Sequence, residues 1–364
     1  MKNVRESFTM GDSCISPGER CKVALPIGRL YTHTEMAMPV EVLHGRREGP
    51  RLFLSAALHG DEINGVEIIR RVLQRLDVSR LTGTLVAVPI INVFGFVYQS
   101  RYLPDRRDLN RSFPGSARGS LASRLAHLFM TEIMERCSYG IDLHTAAPPR
   151  ANLPQIRCNL ENEELQRLAK AFAAPVVIHG KAPPGSLRGT ANRRGLPVLL
   201  YEAGEPLRFN EDAIRVGVDG VLRVMAELGM IRRGRARRRT ASVESRRTSW
   251  VRARQSGILH LNVKLGERVE KGQLLGSVAD PFGDAVLDVE APHDGLVIGQ
   301  IVNPLVHRGD AIIHIATAEQ SRAVDEHINE IQSENQSPAL DQASSQLVNE
   351  AEQKIADSSN VVGE

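Results

Sequence analysis

The sequence is short of the materials that several protein classes require. Aromatic residues make up 4% of the chain, with a single tryptophan, so a nucleic-acid platform of stacked rings has little to build on. The four cysteines, Cys14, Cys21, Cys137 and Cys158, are scattered without a CxxC pair. That spacing excludes a disulfide-stapled fold and a structural zinc site, and it fits reduced thiols in the cytosol. Long apolar runs are missing too. The uncharged stretch from Leu81 to Ser100 is broken by Gly83, Pro89, Asn92, Gly95 and Gln99. It reads as strand, turn and strand, whereas a bilayer-spanning helix is more uniformly apolar. Met1 to Pro17 carries charges and lacks the apolar core of a signal peptide. These absences predict a cytoplasmic protein without a membrane partner.

What is there belongs to a globular protein. Of the 364 residues, 42% are hydrophobic and 24% charged, enough for a substantial core, and the length predicts two domains. Forty-six Lys and Arg against 43 Asp and Glu leave a formal charge of +3, which names no partner. The distribution is uneven, however. Six arginines crowd into 231–239, while 318–364 holds ten acids against Arg322 and Lys354.

Periodicity divides the chain further. After an N-terminal extension (1–20), residues 21–230 alternate short apolar strands with helical patterns. Strand 51–58 is a nearly continuous apolar run, as expected of a strand covered on both faces. Further strands are predicted at 85–90, 139–143, 176–178 and 197–201, with helices at 121–135, 161–173 and 210–228. Such alternation predicts an α/β fold with a mixed, mainly parallel sheet flanked by helices. Residues 231–249 read as an Arg-rich linker, 250–317 as a small all-β domain of short strands and glycine turns, and 318–364 as an acidic tail, either a frayed helix or disordered.

Polar groups collect where the buried strands end: His59 with Glu62, Asp142 with His144, and Glu202. In open α/β sheets the functional crevice lies beyond the carboxyl ends of the strands. Two histidines and one carboxylate form a catalytic zinc set that leaves a coordination position for water. Glu202 is placed to receive a proton from that water. A lone HxxE turn is weak, since an acid there also complements a helix dipole. Two further strand-end groups of the right kind strengthen the metal reading. The remaining histidines lack such a setting and read as surface or structural residues. Asp142 is placed to orient a ligand histidine or to cap a turn.

Four strings in order carry a resemblance. Residues 57–65 (ALHGDEING), 108–115 (DLNRSFPG), 142–145 (DLHT) and 201–204 (YEAG) resemble the signatures of the succinylglutamate desuccinylase and aspartoacylase family, zinc hydrolases of carboxypeptidase-like fold. The resemblance covers about residues 20–230. It implies one Zn²⁺ per subunit held by His59, Glu62 and His144, with Glu202 as general base and later proton donor. It further implies that Asn110 and Arg111 grip a substrate carboxylate, a task suited to a planar guanidinium. Arg101 matches the family arginine that polarises the scissile carbonyl, although the spacing from Arg101 to Asn110 is longer than in aspartoacylase. A surface salt bridge is the competing reading for Arg101 and Arg111.

Residues 250–316 resemble a lipoyl- or biotinyl-like barrel-sandwich domain, but no lysine stands between Lys271 and Lys354 to carry a cofactor. The expected role is therefore a cap over the cleft or an oligomer contact, and homo-oligomerisation stays open. The arginines from Arg232 to Arg239 suit nucleic acid, but a solvated linker is the favoured reading. The expected function is zinc-dependent cleavage of the amide bond of a small N-acyl amino acid. The alternatives are a carboxypeptidase-like activity on short peptides or glutamyl tails, and a non-catalytic binding protein acting through the arginine run and the β domain.

Overall fold

The computed structural model describes residues 5–232, 242–317 and 322–333. The chain opens with a hairpin of β1 (Phe8–Met10) and β2 (Ser13–Ile15), whose Phe8, Met10 and Ile15 are buried in the core. The predicted extension therefore has a packing role. Next come β3 (Glu19–Arg29), β4 (Glu35–His44) and β5 (Arg47–Ala56), then α1 (Asn64–Arg75), β6 (Thr82–Val88) and α2 (Val93–Val97). The strand expected after β6 is thus a short helix. Asn92 starts it by accepting from Gly95 N at 2.8 Å, a side-chain cap that the apolar pattern of 93–97 conceals.

The alternating segment continues with α3 (Leu121–Glu132), β7 (Tyr139–His144), β8 (Arg150–Cys158), α4 (Glu163–Phe172), β9 (Val176–His179), α5 (Leu187–Arg193), β10 (Val198–Gly204) and α6 (Glu211–Glu227). Asn162, Ser186 and Asn210 cap α4, α5 and α6 through their side chains. Beyond residue 242 lie β11 (Val243–Ser245), β12 (Arg247–Arg252), β13 (Gly257–Leu261), β14 (Arg268–Val269), β15 (Leu274–Ala279), β16 (Val286–Glu290), β17 (Gly295–Ile301), β18 (Leu305–Val306) and β19 (Ala311–Thr317), then α7 (Arg322–Ser333).

Thirteen strands share one sheet, with the path β12-β19-β17-β8-β10-β7-β5-β6-β4-β3 and side branches to β9, β11 and β14. Only its centre is parallel: β10 with β7, β7 with β5 and β5 with β6, together with β8–β9 and β9–β11. The remaining pairs are antiparallel, so the sheet is mixed and not mainly parallel. Helical crossovers enforce parallel neighbours, whereas hairpins such as β3–β4 and the C-terminal strands do not. Strand β8 is the joint. One edge pairs with β10, while the other pairs with β17 at its start and β9 at its end.

The two faces of the central strands separate by side-chain alternation. One face sends Leu54, Ile141, Leu143, Leu199 and Tyr201 into a core shared with α1, α4 and α6. The opposite face carries Phe53 and Val198 against α3 and α5, and at its C-terminal end it turns polar.

Two boundaries differ from those expected. Val243–Ser245, in the span read as a linker, is a strand with Val243 and Ser245 buried. Three residues flanked by arginines are too few to show a period. In the span read as a frayed helix or disorder, α7 is a helix that packs through Val324, Ile328 and Ile331, a stripe at helical spacing diluted by polar neighbours. Residues 233–241, with most of the arginine run, and 334–364 lie outside the described residues. No helix among the described residues is long and apolar enough to cross a membrane.

Candidate active site

The site is assembled by close backbone approaches at the carboxyl ends of β5, β7 and β10. After β5 the chain turns sharply through residues 57–62, and glycine is required there. A Cβ at Gly60 would lie 1.9 Å from the Gly95 carbonyl carbon and 2.2 Å from Phe96 N. The Gly60 N–H donates to Ser100 O at 3.0 Å, which ties the turn to the loop carrying Arg101. Asn64, at the start of α1, donates to Ala203 O at 3.3 Å and accepts from Asn210 N at 3.1 Å. The first turn of α1 is thereby fixed to the end of β10.

On this frame His59, Glu62 and His144 converge, all buried. They offer three ligand atoms within 4.8 Å of one another. Glu62 lies between the rings: Oε1 is 2.7 Å from His59 Nδ1, and Oε2 is 2.7 Å from His144 Nδ1. Thr145 N also donates to Glu62 Oε2 at 3.1 Å. Each ring turns its second nitrogen to another carboxylate. His144 Nε2 meets Asp142 Oδ2 at 2.8 Å, and His59 Nε2 meets Asp108 Oδ1 at 3.2 Å. Asp142 is held in turn by Ser55 Oγ at 2.8 Å, and Asp108 Oδ1 accepts from Asn110 N at 2.8 Å.

The electrostatics follow from burial and crowding. Burial opposes charging of His144, but Asp142 and Glu62 hold its pKa well above the ordinary histidine value. His59 is raised in the same way, against its own burial, by Glu62 and Asp108. The same contacts outweigh burial for Glu62 and Asp108 and keep both far below the usual carboxylate range. Asp61 goes the other way: burial and the neighbouring Glu62 raise it, and its Oδ1 is buried without a partner.

The donor set fits a divalent ion. Two imidazoles and a carboxylate converge, and each imidazole is oriented from behind by an acid, the arrangement that fixes tautomer and raises basicity in histidine–zinc sites.

Glu202 sits on β10 directly opposite His144 of β7 in the parallel register, so the two side chains share a face. Its Oε2 accepts from Asn152 Nδ2 at 2.9 Å and lies 3.1 Å from Arg157 Nη2. Arg101 reaches the cluster as well: Nη1 is 3.3 Å from both His59 Nδ1 and Glu62 Oε1, and Nη2 is 3.0 Å from Asp108 Oδ2. Asn110 lies at the edge, with its Oδ1 accepting from Leu187 N at the start of α5 at 3.0 Å. The Arg111 side chain is exposed and donates to Asn110 O at 2.7 Å.

Sequence reasoning assigned no role to Asp108, Asn152 or Arg157. Asp108 stood inside a quoted signature string. Asn152 and Arg157 lie on β8, whose run of buried residues on both faces shows no clean polar alternation.

Comparison with known proteins shows what the chain is similar to. The model of the succinylglutamate desuccinylase/aspartoacylase catalytic domain matches residues 48–228. N-alpha-acetyl-L-2,4-diaminobutyric acid deacetylase of Halomonas elongata is 27% identical over 297 residues, 78% of this chain and 86% of that protein. Succinylglutamate desuccinylase of Pseudomonas aeruginosa is 30% identical over 216 residues, 54% of this chain and 63% of that protein. Among solved structures, a succinylglutamate desuccinylase/aspartoacylase from Rhodobacter sphaeroides aligns with a TM-score of 0.72 at 26% identity, covering 82% of this chain and 96% of that one. The product-bound ectoine utilization protein of Ruegeria pomeroyi aligns at 0.76 and 23% identity, covering 86% and 99%.

Proposed function

Starting from the membership of residues 48–228 in the succinylglutamate desuccinylase/aspartoacylase family, we propose that this protein is a zinc-dependent deacylase. Its substrate class is a small N-acyl amino acid, and the amide between acyl group and amine is the bond it cleaves. A relative matching over 297 residues is named for removing an acetyl group from a diamino acid, which makes N-acetyl-2,4-diaminobutyrate the first substrate to test. The observation that carries the reading is the convergence of His59, Glu62 and His144 with Glu202 beside them in register.

His59 and His144 would hold the ion through Nδ1, and Glu62 through its carboxylate. Zinc so bound supplies a Lewis acid that lowers the pKa of a water to about 7. Asp108 and Asp142 keep each ring's second nitrogen engaged and so direct Nδ1 inward. Glu202 Oε1 makes no hydrogen bond among the described residues, which leaves that oxygen to take a proton from the attacking water. The same oxygen then delivers the proton to the departing amine. The products are a carboxylate and a free amino acid, and the atoms balance with the one water consumed.

Arg101 presents a guanidinium at the rim of the cluster, where it would stabilise negative charge developing on the carbonyl oxygen. It pairs with Glu62 and Asp108, and would exchange one of these partners for the carbonyl oxygen when substrate binds. Asn110 and Arg111 are assigned to the substrate carboxylate. Arg111 is free to swing because its side chain is solvent-exposed.

The test is an amine-release assay on zinc-loaded protein with N-acetyl-2,4-diaminobutyrate and a panel of N-acyl amino acids. Removing the base in Glu202→Gln is expected to lower kcat by about 10²- to 10⁴-fold with zinc content unchanged. Wild-type turnover in that variant would remove Glu202 from the mechanism.

A further inference from the structure

Glu202 is the group on which the proposed reaction turns, and its carboxylate is held on one side only. Both groups bonded to Oε2, Asn152 and Arg157, come from β8. Asn152 is itself buried, with 6% of its surface exposed. It also belongs to a rung of opposed residues that crosses five strands. Trp250 of β12 faces His314 of β19, His314 faces Gly299 of β17, Gly299 faces Asn152 of β8, and Asn152 faces Gly204 of β10.

The far end of this rung is rigidly packed. The Trp250 and His314 rings stack 4.3 Å apart at an interplanar angle of 7°, and the Arg150 guanidinium lies 5.1 Å from the Trp250 ring centre. Burial, and then Arg157 and Arg150, push the His314 pKa down to about 3, so the stacked ring is neutral. The middle of the rung is a close approach that only glycine allows. A Cβ at Gly299 would lie 2.8 Å from Asn152 Oδ1 and 3.3 Å from His314 Cβ. The register shifts on both sides, between Val297 and Gly299 and between Glu202 and Gly204. Bulges of this kind re-aim side chains beside active sites.

We propose that Asn152 and Arg157 are positioning residues for Glu202, and that the C-terminal strands β12, β19 and β17 fix Asn152 through the space left at Gly299. A carboxylate free to rotate presents either oxygen in many directions. One oxygen held by an amide and a guanidinium leaves the other with a defined direction, and a misplacement of about 1 Å can cost 10²-fold in rate. The C-terminal strands thus serve the chemistry by holding the base, without contributing a group to the reaction. This inference rests on the reading of Glu202 as the base.

Kinetics on zinc-loaded, full-length protein with N-acetyl-2,4-diaminobutyrate, together with crystal structures of the variants, test it. Asn152→Ala is expected to lower kcat between about tenfold and a hundredfold, with KM within a factor of about two and zinc content unchanged. Arg157→Gln should behave alike, and Arg157→Lys should restore most of the loss. Gly299→Ala should reproduce the Asn152→Ala defect alone and add nothing in the Asn152→Ala background, because the carboxamide it crowds is then gone. Crystal structures of Asn152→Ala should show the Glu202 carboxylate displaced. A wild-type kcat in Asn152→Ala beside an inactive Glu202→Gln overturns the positioning role alone, as does an undisplaced Glu202. If Glu202→Gln retains full activity, the base assignment fails instead, and the crystal structures alone then decide whether Asn152 positions the side chain.

Discussion

His144 brings its two ring nitrogens to two different carboxylates, and that division of labour is the residue-scale logic of the site. Asp142 Oδ2 takes Nε2 at 2.8 Å, leaving Nδ1 directed at Glu62. Asp108 does the same for His59. Outer partners of this kind are each worth about 10- to 100-fold in metal affinity. Asp142→Asn and Asp108→Asn are therefore expected to weaken zinc binding by that factor while the fold is retained, as measured by competition with a chromophoric chelator. Unchanged affinity in both would separate these acids from the ion. The convergence of His59, Glu62 and His144 was legible in the sequence because they stand at or just beyond the ends of buried apolar strands. Glu202 stood out at a strand end for the same reason, and Arg101 only through the family resemblance. Asp108 was hidden because an acid opening a short helical turn is also a cap, and it does cap Asn110 N. Asn152 and Arg157 gave no signal, since their meaning depends on β8 meeting β10, a pairing set by residues fifty positions away.

Among the elements, α1, α4 and α6 form the layer that holds the β5, β7 and β10 ends in place. Gly220 shows how tightly. A Cβ there would lie 2.3 Å from the Phe172 ring on α4. Alanine in a helix interior is ordinarily favoured over glycine by about 1 kcal/mol, whereas overpacking a core costs about 1–3 kcal/mol. The contact with a buried ring on a facing helix decides the sign, so Gly220→Ala is expected to destabilise the protein in denaturant titration. A stabilised variant would show that α4 moves freely.

Between α1 and α6 the link is ionic. Glu67 accepts from Arg70 and Arg71, and Arg71 in turn donates to Glu211 at 2.7 and 2.8 Å. Burial works against the Glu67 charge, but the two arginines outweigh it and lower the pKa below its ordinary 4.5. A carboxylate depressed on folding contributes stability above its unfolded pKa and loses it as pH falls through the folded value. Acid unfolding monitored as pH falls below about 4.5 should therefore be less steep in Glu67→Gln; an unchanged profile would assign the acid sensitivity elsewhere. Helices α3, α4 and α6 were readable from their 3.6-residue apolar period. The short pieces, α2, β11 and β14, were not, because two to five residues cannot display a period and their pairing is set by distant strands.

At the scale of the whole molecule, the catalytic segment and the C-terminal strands share one sheet through β8–β17 and β9–β11. The glycine turns after residue 250 indicated a small β unit. They could not show that four of its strands, β12, β14, β17 and β19, belong to the catalytic sheet, since hydrogen bonds between distant edges leave no trace in local pattern. A shared sheet predicts that both parts unfold together. Calorimetry should give a single transition, whereas two well-separated transitions would mean that the strands beyond 242 are an independent unit.

The central claim is that His59, Glu62 and His144 hold one zinc ion beside Glu202. The most direct test is a crystal structure of zinc-loaded protein with anomalous data on both sides of the zinc absorption edge. The account predicts one zinc peak per chain, bonded to Nδ1 of His59, Nδ1 of His144 and the Glu62 carboxylate. No zinc peak among those three side chains at saturating zinc would contradict it.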